Sequence, residues 1–249
     1  MRKFIQVMVS AASIMYAGAA LADVAELQAF KLETLSSYWD GKVEVFSDVS
    51  GLTRIGLGNA GGFATYFENA GPVNGTADNP FLSFGLNTNA GYRVTGITLS
   101  ATFRGTLIRA QWNGWEGFAD NTGSIYFAAT QNGTGNDLFR QHEAVIDLNG
   151  ERTVLMGGAV SLPSSFVLNI DTWHSFSAQA AQDCSYYPPD VSICHWAGIA
   201  KVGMDITDVV LTVQTAPVPE PETYAMLLGG LAVTGFAARR RQRKAQRPA

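Results

Sequence analysis

The feature that most constrains this chain is a two-residue alternation of apolar and polar side chains within residues 93–108. Its two sets are Ile97, Leu99, Ala101 and Phe103 on one side, and Thr98, Ser100, Thr102 and Arg104 on the other. Successive side chains of a β-strand point to opposite faces of a sheet, so this period predicts a strand with one buried face. Residues 206–213 repeat the pattern. The chain is therefore predicted to fold as a β-protein.

Further short runs rich in aromatic and β-branched residues predict nine more strands. They are residues 42–46, 63–67, 81–84, 124–129, 144–148, 152–155, 166–170, 173–178 and 193–197. Clusters of Gly, Asn and Asp separate them, and Asn149-Gly150 predicts a hairpin turn between two of these strands. Residues 24–35 fit either a short helix or a first strand. Many short strands joined by turns predict an all-β fold, a jelly-roll-like β-sandwich over residues 23–215.

The N-terminal segment has the three parts of a secretory signal peptide. Arg2 and Lys3 are followed by an uncharged stretch over residues 4–21, and Ala20 and Ala22 supply the small side chains that signal peptidase recognises. A buried N-terminal helix is the alternative, and the basic start and small-residue ending disfavour it. We expect residues 1–22 to be a cleavable signal helix and the mature chain to enter an oxidising compartment.

The C-terminal segment has a second set of ordered parts. A Pro-rich linker over residues 216–223 precedes an uncharged stretch over 224–238 and a basic tail over 239–249, which opens with Arg239, Arg240 and Arg241. Apolar residues followed by arginines predict a transmembrane helix whose basic end stays in the cytoplasm, with the body outside. Fifteen residues span only ~22 Å of a hydrocarbon core ~30 Å thick, which suits a temporary anchor. A plain tail anchor and a buried amphipathic helix are the alternatives.

This segment resembles the PEP-CTERM sorting signal. The resemblance rests on Val218, Pro219, Glu220 and Pro221, on the short apolar helix that follows, and on the arginine block. It implies a Gram-negative bacterium and a membrane protease, exosortase, that cleaves near the Pro-Glu-Pro motif and removes the helix and tail. It also implies export to the outer surface or extracellular matrix of a cell that makes exopolysaccharide. It implies nothing about the fold or activity of the body.

The charge of the body excludes nucleic acid as a partner. Residues 23–217 carry 9 Lys and Arg against 19 Asp and Glu. A nucleic-acid-binding domain needs a basic face to neutralise phosphates. We therefore expect signal peptidase, exosortase, the membrane and an exopolysaccharide as partners, and no nucleic acid.

The two cysteines of the chain, Cys184 and Cys194, enclose nine residues. In an exported protein this spacing predicts a disulfide bond. Metal binding by Cys194 together with His195 is the alternative, but neighbours on a strand point to opposite faces. We expect a disulfide, no metal site and no cofactor.

Catalytic motifs are not found in the sequence. It lacks G-x-S-x-G and H-E-x-x-H, and Gly56, Gly58 and Gly61 match a dinucleotide-binding spacing without the helix that should follow. Loop aspartates could bind calcium, but their spacing does not fit an EF-hand. A carboxylate pair for glycoside hydrolysis stays open, because such residues meet only in space. We predict that the protein is not an enzyme.

Aromatic residues give the most suggestive binding feature. Trp112 and Trp115 flank a polar Asn-Gly pair, and exposed aromatic faces stack on sugar rings. The alternative is that both pack at an edge of the sandwich. Trp39, Trp173 and Trp196, in contrast, are expected to lie in the core. Three functions follow: a non-enzymatic surface or matrix protein, a carbohydrate-binding module with or without glycoside hydrolase activity, and a permanently anchored periplasmic protein.

Overall fold

The structure is a computed structural model of the chain, and it describes residues 24–37, 42–58, 60, 65–187, 191–218 and 226–235. Most of these residues form two antiparallel sheets that face each other across one apolar core. The signal-peptide residues, Ala20 and Ala22 among them, lie outside the described residues. So do Pro219, Glu220, Pro221 and the arginines at 239–241.

The first sheet has seven strands. Six follow the spatial order β1 (Val24–Glu26), β2 (Phe30–Ser37), β7 (Phe81–Thr88), β14 (Ser165–Gln179), β11 (Phe118–Gln131) and β12 (Asp137–Ile146). The seventh, β6 (Asn74–Asp78), pairs with the C-terminal half of β14, beside the part that pairs with β7. Strand β14 therefore lies inside this sheet, with β11 on one side and with β7 and β6 on the other.

The second sheet has six strands. Five follow the order β13 (Gly150–Ala159), β8 (Tyr92–Ile108), β17 (Ala200–Pro217), β4 (Leu52–Gly58) and β3 (Lys42–Val49), and β5 (Thr65–Asn69) pairs with the start of β17. Two small hairpins complete the fold: β9 (Gln111–Trp112) with β10 (Trp115–Glu116), and β15 (Ala181–Tyr187) with β16 (Val191–Ala197). The predicted all-β sandwich is confirmed.

The alternation that predicted the strands also builds the core. In β8, Ile97, Leu99, Ala101 and Phe103 are all fully buried, whereas the polar residues between them are not. The same alternation in β11 and β14 sends Ile125, Phe127, Leu168 and Ile170 inward from the facing sheet. Each such side chain contributes roughly 1.5–3 kcal/mol by leaving water, so the two inner faces hold the sheets together.

The predicted hairpin at Asn149-Gly150 is wrong. The strand before it, β12, lies at the edge of the first sheet, and the strand after it, β13, lies at the edge of the second sheet. The chain therefore crosses between sheets here. Its positive φ values fall at Asp147 and Gly150, so they do not occupy two consecutive central positions as a tight type I′ hairpin requires.

Asn121 holds this crossing in place. It is fully buried on β11, and its side-chain amide donates to the carbonyl oxygens of Leu148 (2.8 Å), Gly203 (2.9 Å) and Thr106 (3.1 Å). Its side-chain oxygen accepts from the Leu148 N–H at 2.7 Å. One side chain of the first sheet is thus bonded to β8 and β17 of the second sheet and to the connection from β12 to β13.

Other boundaries also differ from those predicted. Residues 166–170 and 173–178 belong to the single strand β14, and the strand predicted at 144–148 ends at residue 146 and begins much earlier, in β12. Residues 24–35, left open between helix and strand, form β1 and most of β2. Gly56 and Gly58 lie in β4, and strand β5 follows, so this stretch joins strands as expected.

The C-terminal segment contains one short helix at residues 226–235, inside the span predicted at 224–238. Ten residues rise only ~15 Å along a helix axis. Within the described residues, no helix has the length and apolar content needed to cross a membrane. The transmembrane helix therefore stays a prediction.

Candidate functional site

Trp112 and Trp115 flank a tight turn at the tip of the β9–β10 hairpin. Asn113 (φ 46°) and Gly114 (φ 83°) both adopt the left-handed conformation, which is the geometry of a type I′ turn. The two tryptophans are direct cross-strand partners, and the Gly117 N–H closes the base of the hairpin on the Ala110 carbonyl at 2.7 Å. Trp112 is 48% exposed and Trp115 is 55% exposed. The edge-packing alternative is therefore disfavoured, because both side chains present large areas to solvent.

A cleft of about 350 Å³ opens beside Trp115. Its lining residues come from the hairpin, from the adjoining ends of β11 and β14, and from β15: Trp115, Glu116, Gly117, Phe118, Gln179, Ala180, Gln182 and Cys184. Aromatic rings and side-chain amides therefore share one opening. This combination provides stacking surface together with hydrogen-bond donors and acceptors.

The disulfide contributes Cys184 to the lining of this cleft. Cys184 and Cys194 are bonded, as predicted, and are direct partners across the β15–β16 hairpin. Cys184 shares its face of the hairpin with Gln182 and Tyr186, because these residues alternate by two along the strand. Tyr186 is strongly exposed. The bond therefore fixes the pairing of the hairpin that supplies Gln182 and Cys184 to the cleft.

One carboxylate, that of Glu116, belongs to the described lining of the cleft. It forms an ion pair with Arg109 at 3.7 Å, and both side chains are about half exposed. Retaining and inverting glycosidases need two carboxyl groups on either side of the scissile bond. The described lining thus offers a surface for binding and does not supply that pair.

Trp173 lies on the outer face of the first sheet and is 40% exposed, so its prediction as a core residue is wrong. Trp196 is partly buried, and Trp39 lies outside the described residues. Next to Trp173 along β14, Asp171 pairs with Tyr126 on one side and with Phe81 on the other. Burial among these neighbours raises the pKa of the Asp171 carboxyl.

His174 points the other way from the same strand, into the core. It is 1% exposed, and neither ring nitrogen has a hydrogen-bond partner in the described structure. Desolvation lowers its pKa, and this outweighs the attraction of the Asp78 and Asp205 carboxylates. Among the described residues, no group of three or more His, Cys, Asp or Glu side chains is placed to hold a metal ion.

The cleft and the C-terminal linker lie at opposite ends of β17. Ala200, at the start of β17, lies two residues after Gly198, which adjoins Gln111 of the β9–β10 hairpin. Pro217 ends the same strand opposite Tyr92, at the far end of β8. Eighteen residues at ~3.3 Å each separate the two ends by roughly 60 Å of strand.

Comparison with known families identifies the C-terminal segment. A PEP-CTERM protein-sorting motif matches residues 217–241, so the resemblance read from the sequence is confirmed. The motif begins at the last residue of β17 and implies that exosortase sorts the chain as an exported protein. No curated protein matches this chain.

Several solved structures show a weak likeness. TmCBM61 in complex with β-1,4-galactotriose is 12% identical, with 68% of this chain and 86% of that chain covered and a TM-score of 0.25. A structure described as "CBM4 structure and function" is 10% identical over 76% of this chain and 87% of its own, with a TM-score of 0.20. A family 11 carbohydrate-binding module from Clostridium thermocellum, in complex with a mixed-linked tetrasaccharide, is 8% identical over 75% and 96%, with a TM-score of 0.20. These scores are too low to support an argument about this chain.

Proposed function

We propose that this chain is a non-enzymatic protein of the cell surface or extracellular matrix, delivered by exosortase to an exopolysaccharide envelope. The observation that carries the proposal is the PEP-CTERM motif at residues 217–241, which starts where the last strand of the sandwich ends. A folded body joined directly to a processing signal is the arrangement expected of cargo. The sandwich needs no cofactor for that role.

The proposed route has three steps. Signal peptidase cleaves after Ala22, so the body folds in the periplasm and its disulfide forms there. The apolar segment holds the chain in the inner membrane while Arg239, Arg240 and Arg241 stay in the cytoplasm. Exosortase then cuts near Pro219–Pro221, and the body moves to the outer surface or into the matrix.

A second function, carbohydrate binding, is favoured by the exposed tryptophans of the β9–β10 hairpin. Burying apolar rings is favourable, so a protein that leaves two tryptophans half exposed on a turn gives up that stabilisation unless a ligand covers them. The faces of sugar rings carry apolar C–H groups, and the amides of Gln179 and Gln182 can bind hydroxyls in the adjoining cleft. We propose binding without hydrolysis.

Intact mass of the mature protein tests the sorting route. The chain is expressed in an exosortase-positive strain and in a matched strain lacking the protease, and each fraction is weighed. We expect the extracellular form to begin at Asp23 and to lack residues 226–249 only when exosortase is present. Material outside the cell that retains Arg239–Arg241 in both strains would contradict the proposal.

A glycan array tests carbohydrate binding. Wild-type protein is compared with Trp112→Ala and Trp115→Ala, and with Leu155→Ala as a control. Leu155 is also exposed and apolar, but lies on β13 of the other sheet. We expect the two tryptophan variants to lose signal and the control to retain it. If wild-type protein binds no glycan, the second function is ruled out and the sorting route is unaffected.

A further inference from the structure

We propose that the outer face of the seven-stranded sheet is a track for one chain of a neutral, linear polysaccharide. The track runs along β11 and β14, from the cleft at Phe118 and Gln179 to an aromatic cluster around Trp173. This inference rests on the proposed carbohydrate binding and deepens it, because it assigns a path, a length and a charge class to the ligand.

The register of β11 and β14 makes the path continuous. Phe118 pairs with Gln179, and the pairs that follow at two-residue steps all share their face of the sheet. These pairs are Asp120 with Ser177, Thr122 with Ser175, Ser124 with Trp173, and Tyr126 with Asp171. The residues between them are buried in the core, so the side chains of these pairs all point outward. Because Phe118 and Gln179 also line the cleft, the strip begins inside the candidate site.

Aromatic rings stand at both ends of the strip. Trp115 and Phe118 are exposed at the cleft end, and Trp173 is exposed at the other. Beyond Trp173, the row formed by Tyr126, Asp171 and Phe81 crosses three neighbouring strands. Two separated stacking platforms suit a chain that presents a sugar face at each of them, and a monosaccharide could not use both.

Small polar side chains fill the interval between the platforms. Ser175, Ser177, Thr122 and Ser124 all carry hydroxyl groups and none is bulky. The adjoining strand β6 places only Gly75 and Ala77 beside Ser177 and Ser175, so no bulky side chain stands along this edge of the path. The interval is therefore a shallow path rich in hydrogen-bonding groups.

Asp120 and Asp171 set the charge preference of the track. The Asp120 carboxylate accepts hydrogen bonds from the N–H (3.1 Å) and hydroxyl of Ser177. Within the described residues, neither aspartate forms an ion pair. The nearby Arg140 is paired with Asp137 at 2.8 Å and lies over the Tyr126 ring at 5.3 Å. Two carboxylates outside any ion pair of the described residues repel a polyanion and accept hydrogen bonds from neutral hydroxyls.

The length of the strip excludes a site for a single sugar. Six residues separate Phe118 from Ser124, and strands rise ~3.4 Å per residue, so the platforms lie ~20 Å apart. A ligand that spans both must contain several sugar rings. Affinity should therefore increase with chain length until both platforms are covered, because the second contact is then intramolecular.

Affinity electrophoresis of the full chain in mild detergent tests the track. The gels contain galactan, mixed-linkage β-glucan, galactomannan or dextran as neutral polymers, and alginate as a polyanion. Trp173→Ala removes the far platform, and Ser175→Leu places bulk on the path between the platforms. Leu155→Ala, on β13 of the other sheet, is the control for an exposed apolar side chain outside the track. Thermal unfolding midpoints establish that each variant is folded.

We expect at least one neutral polymer to retard the wild type more than alginate does. Trp173→Ala and Ser175→Leu should each weaken that binding about tenfold, which corresponds to ~1.4 kcal/mol, while the Leu155→Ala control binds as the wild type does. If Trp115→Ala loses binding but Trp173→Ala and Ser175→Leu do not, the track is refuted and carbohydrate binding at the hairpin stands. If no neutral polymer retards the wild type, both are refuted. Preferential binding of alginate overturns the charge assignment and with it the proposal.

Discussion

Replacing Asn121 should be the most damaging single polar substitution in the sandwich. The side chain is fully buried, and it satisfies both the N–H and the carbonyl of Leu148 at the point where the chain crosses between sheets. Asn121→Ala leaves these two backbone groups without a partner, and each buried orphan costs ~1–3 kcal/mol. It also removes the bonds to Thr106 and Gly203. We expect a loss of ~3–5 kcal/mol in the free energy of unfolding.

Asn121→Asp separates the hydrogen-bond argument from simple loss of volume. It keeps the shape and the oxygen that accepts from Leu148, but at neutral pH it turns a carboxylate oxygen towards three carbonyl oxygens. It should therefore destabilise the fold at least as much as alanine does. Because protonation would remove the buried charge, the penalty should shrink as the pH falls.

Urea denaturation of the disulfide-bonded protein, followed by tryptophan fluorescence, measures these changes. Ser124→Ala is the matched control, because Ser124 lies on the same strand with its side chain on the outer face. It should shift stability by less than ~0.5 kcal/mol. A loss below ~1 kcal/mol for Asn121→Ala would refute the view that this side chain couples the two sheets.

Three further predictions concern the disulfide, the buried histidine and the packing between sheets. Reducing Cys184–Cys194 should cost ~2–3 kcal/mol, measured as a lower urea midpoint in dithiothreitol; an unchanged midpoint would contradict it. The pKa of His174 is lowered in the folded chain, so the unfolded chain binds the proton at higher pH and stability should fall as the pH drops below 6.5. His174→Phe should remove this part of the dependence of unfolding free energy on pH. The raised pKa values of Asp171 and Asp205 change stability in the opposite direction as the pH falls. The quantity to measure is therefore the difference in unfolding free energy between the wild type and His174→Phe at each pH. Equal slopes against pH for the two proteins would disprove the histidine assignment. Gly123→Ala should cost ~1–3 kcal/mol by thermal unfolding, because its Cβ would lie 2.8 Å from the buried Phe103 ring; an unshifted midpoint would show that the ring yields freely.

Alternation in the sequence predicted which residues face the core, because that property is local to each strand. The strand expected over residues 93–108 is observed as Tyr92–Ile108, with its apolar set fully buried. Pairing is different, because it depends on partners far along the chain. Nothing near Asn149 in the sequence indicates that β12 and β13 join different sheets. An Asn-Gly pair does form a hairpin turn in this protein, but the turn is at Asn113-Gly114 and not at Asn149-Gly150.

The outward position of Trp173 can be predicted only when the two-residue alternation of buried side chains is followed through the whole of β14. Phe166, Leu168, Ile170 and Phe176 all have even numbers and are all buried, so one unbroken strand places Trp173 on the opposite face. Two separate strands, predicted at residues 166–170 and 173–178, do not impose this constraint, and Trp173 was predicted to lie in the core. Thr172 and His174 obscure this alternation in the sequence, because both are polar yet buried. Because of these two inward-facing polar side chains, the sequence pattern alone does not reveal which residues form the outer strip.

The direction of β17 connects the sorting motif with the candidate binding surface. This strand runs from Ala200, next to the tryptophan hairpin, to Pro217, where the motif begins. A chain held by its C-terminal segment therefore has Trp112, Trp115 and the cleft at the end of the sandwich away from the attachment point. The proposed strip on β11 and β14 starts at that same distal end, because Phe118 and Gln179 line the cleft. Under the proposed function, attachment at Pro217 and binding at the cleft would use opposite ends of β17, so neither would need the other end to be free.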